Sequence, residues 1–323
     1  MILFVTGQYA GAEYLYPLIK KWRGEHRSSP KYKILATGAS VKFWEKFNVE
    51  HLAIKRDFYD SVECYLNEIK PRLIILSASS NEELENLVIL LAKRKKIRSA
   101  SFIDAWTNYK NRFIYNQRNV YPDTILSIDS RCTEEMLEDG IPSEIIQEIG
   151  QPYLEEVCKN IPLLGKKILI PLQPIKKTRG SSLGYDENDF LNLLHKAMVI
   201  PGESSPIQVT SHPGEAVHKY FEQLVEAGRG IEDVKNAHTV IGMFSMQMMI
   251  AFLWGRKVVS IQPNLKVTDP SPLSRWGMVP RISDSKKLTR FMNSPISKHS
   301  LNQRNELLRS FRGSLDRLEQ FCK

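Results

Sequence analysis

Residues 234–263, VKNAHTVIGMFSMQMMIAFLWGRKVVSIQP, decide the fold. His238 to Ile241 is a short β-prone run that stops at Gly242. After Ser245 the only polar residue before Gly255 is Gln247, and Val258 to Ile261 is a second apolar run. Gly255 stands where a helix C-terminus prefers a left-handed residue. Strand, tight turn, buried helix and second strand make a βαβ unit, whose crossover is right-handed. Gly242 and Ser245 then sit at the carboxyl end of the first strand and the amino end of the helix. Open α/β sheets bind ligands there, and free helix N–H groups attract phosphate. A buried helix between two core strands, with no ligand, fits the same residues. A membrane span fits less well, because the apolar run is shorter than the roughly 20 residues a bilayer core requires.

Working outward, the 323 residues exceed what one core usually serves, so two domains are expected. A hydrophobic content of 42% supports packed cores and argues against disorder. The net charge of +9 suits phosphorylated ligands, an anionic membrane face or nucleic acid, and equally suits solvated helix faces. Cys64, Cys132, Cys158 and Cys322 form no C-x-x-C pair and no zinc-spaced cluster with histidine. A reducing, cytoplasmic setting without structural zinc is the expectation. MILFVTG enters a strand directly and does not resemble a signal peptide.

The first half alternates strands and helices. Ile2 to Thr6 reads as a buried strand, Gly7 to Gly11 as its turn, and Glu13 to Trp22 as a helix. Gly7 and Gly11 permit either ligand approach or close helix–strand packing; the full G-x-G-x-x-G pattern is absent. Further strands are expected at Tyr32–Thr37, Glu50–Lys55, Arg72–Ser77, Ser99–Ile103, Thr124–Ile128 and Ile145–Ile149. Helices are expected at Ser40–Phe47, Ser61–Ile69 and Glu82–Lys95, with another entered at Ser130 and Thr133 and ended by Gly140. The loop from Ser77 to Asn81 could hold an anion or simply cap the helix that follows. Asp104, Trp106, Asn108, Tyr109 and Arg112 form the most unusual cluster. A carboxylate, an amide, aromatic faces and a guanidinium are what a sugar site uses. Trp106 and Tyr109 as core aromatics, with Asp104 as an N-cap, is the competing reading.

The second half repeats the pattern after a linker at 162–165. Ile168 to Leu172 reads as a strand, followed by a basic loop with Lys176, Lys177 and Arg179. A helix is expected at Asp186–Met198, a strand at Ile207–Thr210, and a helix at Glu215–Ala227. Ser211, His212 and Pro213 fall at that strand's end, where a histidine can meet a phosphoryl oxygen or shuttle a proton. Leu288–Phe291 reads as a short helix. Leu301 to Phe321 reads as one long basic amphipathic helix packing across both domains. The layout is therefore α/β: two doubly wound, Rossmann-like parallel-sheet domains, 1–160 and 161–323, with the C-terminal helix at 301–321.

This layout resembles the GT-B architecture of many nucleotide-sugar glycosyltransferases and of the UDP-GlcNAc 2-epimerases. DAWTNYKNRF at 104–113, with Pro122 and Asp123 beyond, is similar to a pattern in bacterial proteins of surface-polysaccharide gene neighbourhoods. Gly150-Gln151-Pro152-Tyr153 resembles the turn that closes the first domain of such proteins. Ser211-His212-Pro213 resembles the His-Pro motif of bacterial sialyltransferases, where the histidine meets the donor phosphate. GMFSMQMMIA at 242–251 resembles the donor-site segment. Many relatives carry a glutamate there to hold the ribose, and this chain has Ile250, which accepts no hydroxyl hydrogen bond.

The resemblance implies a metal-independent glycosyltransferase acting on a surface-glycan acceptor, with the nucleotide-sugar as substrate and no cofactor. Gly242, Ser245 and Ser211-His212-Pro213 would hold the diphosphate with Lys176, Lys177 or Arg179. Asp104 would deprotonate the acceptor, and Trp106, Asn108, Tyr109 and Arg112 would position its sugar, beside Gly7 and Gly11. The absence of a D-x-D motif agrees with the expectation of no metal. The alternatives are a sugar-nucleotide epimerase or hydrolase of the same fold, using Asp104, Asp129 and Glu215, and a non-catalytic nucleotide-sugar or glycan binder. A peripheral contact with the inner membrane face is compatible with the charge. Nucleic acid is disfavoured, since no helix-turn-helix, RRM or KH pattern is present.

Overall fold

The computed structural model describes residues 1–25, 29–55, 57, 59–79, 83–198, 207–211, 225–228 and 230–323. The chain divides into two compact units, Met1–Glu156 with Ser310–Lys323, and Val157–Arg309.

The first unit runs β1 (Ile2–Thr6), α1 (Tyr9–Gly24), β2 (Tyr32–Ala36), α2 (Gly38–Lys46), β3 (Leu52–Ala53), α3 (Ser61–Ile69), β4 (Leu73–Ser77), α4 (Glu83–Lys95) and β5 (Arg98–Phe102). A two-stranded antiparallel hairpin follows, β6 (Ile114–Tyr115) and β7 (Arg118–Asn119). Then come β8 (Thr124–Ser127), α5 (Ser130–Glu138), β9 (Ile146–Glu148) and α6 (Pro152–Cys158). The sheet order is β3-β2-β1-β4-β5-β8-β9, parallel throughout. β1 and β4 are buried at every residue, as continuous apolar runs in a sheet covered on both faces require. Strand order reverses between β1 and β4, and the carboxyl ends beside such a reversal are where open α/β sheets bind ligands. The core packs Tyr14 flat on Phe102, ring centroids 4.0 Å apart, with Trp22 and Trp44 buried beside them.

The second unit runs β10 (Lys167–Pro171), α7 (Ile175–Arg179), α8 (Glu187–Met198), β11 (Ile207–Ser211), β12 (Val225–Ala227), α9 (Ile231–Lys235), β13 (Ala237–Gly242), α10 (Met246–Leu253), β14 (Lys257–Ile261), α11 (Pro272–Arg275), β15 (Arg281–Ile282), α12 (Ser285–Met292) and α13 (Lys298–Ser310). Its sheet, β12-β11-β10-β13-β14-β15, is also parallel throughout and reverses between β10 and β13. The βαβ unit read from 234–263 is β13-α10-β14, with Gly255 left-handed at φ 74° after α10.

The last element, α14 (Ser314–Cys322), belongs to the first unit. Leu301 to Phe321 is therefore two helices rather than one. Gly313, at φ 75°, breaks the run, and Glu155 accepts from the backbone N–H of Gly313 at 2.7 Å and of Leu315 at 2.8 Å. That carboxylate occupies the orphan donors at the start of α14, which favours a new helix over a continued one. Leu318, Phe321 and Cys322 complete the first unit's core. Three other expectations differ from the structure. The basic loop at 176–179 is helical, the 50–55 strand shrinks to Leu52–Ala53, and residues 225–227, expected at the end of a helix, pair with β11 as a strand.

Candidate functional site

At the first unit's β1/β4 edge the loops are occupied by the chain's own carboxylate. Glu85, buried in the first turn of α4, accepts from Gly7 N at 3.0 Å, Ser79 N at 2.7 Å, Ser79 Oγ at 3.3 Å and the Ser77 hydroxyl. Gly7 therefore spends its N–H on Glu85 rather than offering it to an anion. Gly11 serves packing. A Cβ on it would lie 2.5 Å from Ser77 Cβ, so only glycine lets α1 lie this close to β4.

The aromatic–polar cluster after β5 is turned into the fold. Arg112, 7% exposed, pairs with Asp104 at 2.7 Å and also donates to Thr107 O at 3.1 Å, Ala105 O at 3.2 Å and Ala78 O. It clamps the loops after β4 and β5 together. Trp106, 1% exposed, donates to Asp129 Oδ2 at 3.0 Å, and Tyr109, 4% exposed, donates to Glu135 Oε2 at 2.5 Å. Both rings are turned away from solvent, as the reading of them as core aromatics expects. Asn108 adopts a left-handed turn at φ 59° and accepts from Asn111 at 2.8 Å. Asp129 caps α5 by accepting from Cys132 N at 2.8 Å, and burial holds its carboxyl above the ordinary value. Asp104 and Asp129 thus have separate structural partners, and Glu215 lies outside the described residues.

The titratable group that stands out at this edge is one the sequence reading passed over. Glu13 of α1 is half-buried, and burial raises its carboxyl to about 7. A hydrogen bond from Tyr153 opposes the rise, the Asp104 charge adds to it, and Lys46 opposes it. Tyr9, one turn earlier, is 38% exposed, and its phenol is raised by burial and by Glu13. Tyr153 is raised by burial and by the Glu13 charge. Glu13 and Tyr153 are brought together only by folding, so no local spacing could reveal the pair.

In the second unit, the β10/β13 edge is shaped by Gly242, Gln173 and Ser245. Gln173 Oε1, in the loop after β10, accepts from Phe244 N at 3.0 Å and ties the two loops together. Ser245 precedes α10 in extended conformation, but its side chain caps nothing, and its Oγ is buried without a partner among the described residues. Met248 N–H donates to Ser245 O at 3.0 Å, which leaves the Met246 and Gln247 N–H groups at the start of α10, the kind of position that suits an anion. Lys176, Lys177 and Arg179 are exposed on α7, which begins four residues after β10 on the same edge. Ser211 closes β11; His212 and Pro213 lie outside the described residues. Ile250 is 3% exposed, and every residue of α10 from Met248 to Leu253 is buried. Among the described residues, no group of three or more His, Cys, Asp or Glu side chains could hold a metal ion.

No family model matches the chain, and no curated protein does. Solved structures do. A UDP-GlcNAc 2-epimerase from Neisseria meningitidis bound to UDP-GlcNAc is similar with a TM-score of 0.68 at 13% identity, over 99% of each chain. S. aureus MnaA with UDP gives 0.69 at 11% identity, over 98% of this chain and 94% of that one. Anabaena HepE in complex with UDP gives 0.59 at 13% identity, over 100% and 98%. At such identities the likeness is one of fold. Two Rossmann-like parallel-sheet units give this chain the GT-B-like fold that UDP-GlcNAc 2-epimerases share with glycosyltransferases.

Proposed function

We propose that this chain is a nucleotide-sugar enzyme whose chemistry is proton transfer on the sugar, as in an epimerase or hydrolase, rather than transfer to a glycan acceptor. The observation that carries it is Glu13, a half-buried carboxyl raised to about 7 at the ligand-binding edge of the first sheet. Inverting a stereocentre requires a base to take a proton and an acid to return one. A group titrating near neutrality does either with little penalty. The transferase reading depends on Asp104 as a base and on Trp106 and Tyr109 as an acceptor platform. Asp104 is bound to Arg112 and both rings are buried. In the second unit, Ser245 and the first turn of α10 would take the diphosphate, with the cations of α7 adding charge.

The test is incubation with UDP-GlcNAc in deuterated water, followed by proton NMR. Deuterium entering the sugar at carbon 2, together with the 2-epimer or free UDP, is expected. Glu13→Gln should lower the rate by about 10²–10⁴-fold, the usual contribution of a general acid–base group. UDP at about 100 times its dissociation constant should add roughly 2.7 kcal/mol of stability, and less in Ser245→Ala. Absence of any stabilisation by UDP or other nucleotide diphosphates would sink the reading. Stabilisation without exchange would support a second reading, a non-catalytic nucleotide-sugar binder, which the buried Ile250 favours.

A further inference from the structure

The second unit carries a basic surface that its sheet edge does not use. Between Asp284 and Arg309 there are six Lys and Arg residues against two carboxylates. Lys286 and Arg290 are one turn apart on α12 and both exposed. On α13, Lys298, Leu301, Asn305 and Arg309 follow one another at helical spacing along one stripe, and all four are exposed. The opposite side of that helix is committed to the fold, with Leu307 buried and Arg304 Nε donating to Leu253 O at 2.8 Å. Lys287 is paired with Asp284 at 3.2 Å. Lys286, Arg290, Lys298 and Arg309 have no carboxylate within ion-pair distance among the described residues. Two aliphatic side chains stand in the same tract, Ile296 at 37% exposure between the helices and Leu301 at 39% on the stripe. The segment between the helices is anchored from beneath, because Lys257 Nζ donates to Met292 O at 2.8 Å and to Ser294 O.

We propose that the exposed stripe of α13, with the segment leading into it, docks the protein on an anionic phospholipid surface. Unpaired cations would meet the headgroups, and Ile296 and Leu301 would enter the acyl boundary. Both features belong to helices that lie on membranes rather than cross them. None of the described helices is long and apolar enough to cross one. Nucleic acid would also meet the cations. Single strands also need exposed aromatic rings for their bases to stack on, and His299 is the one exposed ring of this tract.

The experiment is co-sedimentation of the full chain with vesicles of phosphatidylcholine alone and of phosphatidylcholine with phosphatidylglycerol. Binding to the anionic vesicles only, weakened by salt, is expected. Each of Lys298→Glu and Arg309→Glu should weaken it about fivefold or more, from the attraction expected of one cation near such a surface. Ile296→Ser with Leu301→Ser should remove the binding that survives high salt. All four positions are exposed, so the variants should keep the wild-type circular dichroism. Equal binding to neutral vesicles, or wild-type binding by the charge reversals, overturns the proposal. So does tight binding to duplex DNA with no effect of the aliphatic changes, which would name nucleic acid as the partner. Turnover of a soluble nucleotide sugar should be unchanged in every variant, which keeps this test separate from that of the enzymatic reading.

Discussion

At the scale of single residues, Glu13 makes the sharpest statement about chemistry. Its folded value of about 7 lies above the ordinary 4.5, so the proton is held more tightly in the folded chain than in the unfolded one. The stability this contributes is full below about pH 4.5 and is lost as the pH rises through 7. A shift of that size corresponds to at most about 3 kcal/mol. Glu13→Gln, which stays neutral, should therefore match the wild type near pH 4.5 and exceed it by about 2 kcal/mol at pH 8 in urea denaturation. Tyr153→Phe removes the hydrogen bond that favours the charged form and should move the inflection to higher pH. An inflection unmoved by either change would assign the pH dependence to another group. None of this was legible in the sequence. Glu13 reads there only as the start of a helix, and its modulators Lys46, Asp104 and Tyr153 lie far along the chain. Trp106 and Tyr109 show the opposite case, since both are buried. Their composition suited a sugar site, but whether a ring face is open depends on what packs over it, and here that is the first unit's own core.

At the scale of elements, the strands were read well because buried parallel strands are continuous apolar runs bounded by turn residues. The β13-α10-β14 unit came through for that reason, and α3 ends at Ile69 as expected because Pro71 follows it. The C-terminal helix did not, because apolar spacing persists on both sides of Gly313 and periodicity alone cannot see a break. The carboxylate that caps the new helix comes from Glu155, in α6. Glu155→Ala should cost about 1–2 kcal/mol, as loss of a helix cap does. A drop in thermal stability confined to the first unit would show it; an unchanged denaturation curve would mean that the break is set by Gly313 alone. Gly11 offers a second element-level test. Gly11→Ala forces α1 away from β4 and disturbs the Ser77 bond to Glu85, for a cost of about 1–3 kcal/mol. Adding Ser77→Gly removes the clashing Cβ, so the double variant should recover part of that loss. Should the double variant be the sum of its parts, the close approach of α1 to β4 would not be what glycine provides.

At the scale of the whole molecule, the chain makes a first Rossmann-like unit, then a second, and then returns to finish the first. The sequence placed the two sheets correctly but could not show the return, because nothing in α14 marks which core its apolar face will join. The structure shows what the return supplies. Leu318, Phe321 and Cys322 are buried in the first unit's core. Glu319 accepts from Trp22 Nε1 at 3.1 Å and pairs with Lys21 at 2.9 Å, and Arg72 donates to Cys322 O at 2.5 Å. The Lys21–Glu319 pair, flanked by Asp316 and Lys323, is worth little, being near the surface. The apolar burial is worth more, about 1.5–3 kcal/mol for each large side chain. Together with the lost hydrogen bonds the deficit exceeds about 5 kcal/mol, the lower end of what holds a domain folded. A chain ended at Arg309 should therefore lose or strongly lower the unfolding transition of the first unit while leaving that of residues 157–309 in place. Two calorimetric transitions in the full chain, with the truncated chain keeping only one near its original temperature, is the expected result. If both transitions persisted unchanged, α14 would be an ornament on the first unit rather than part of its core. If both vanished, the two units would fold as one cooperative body.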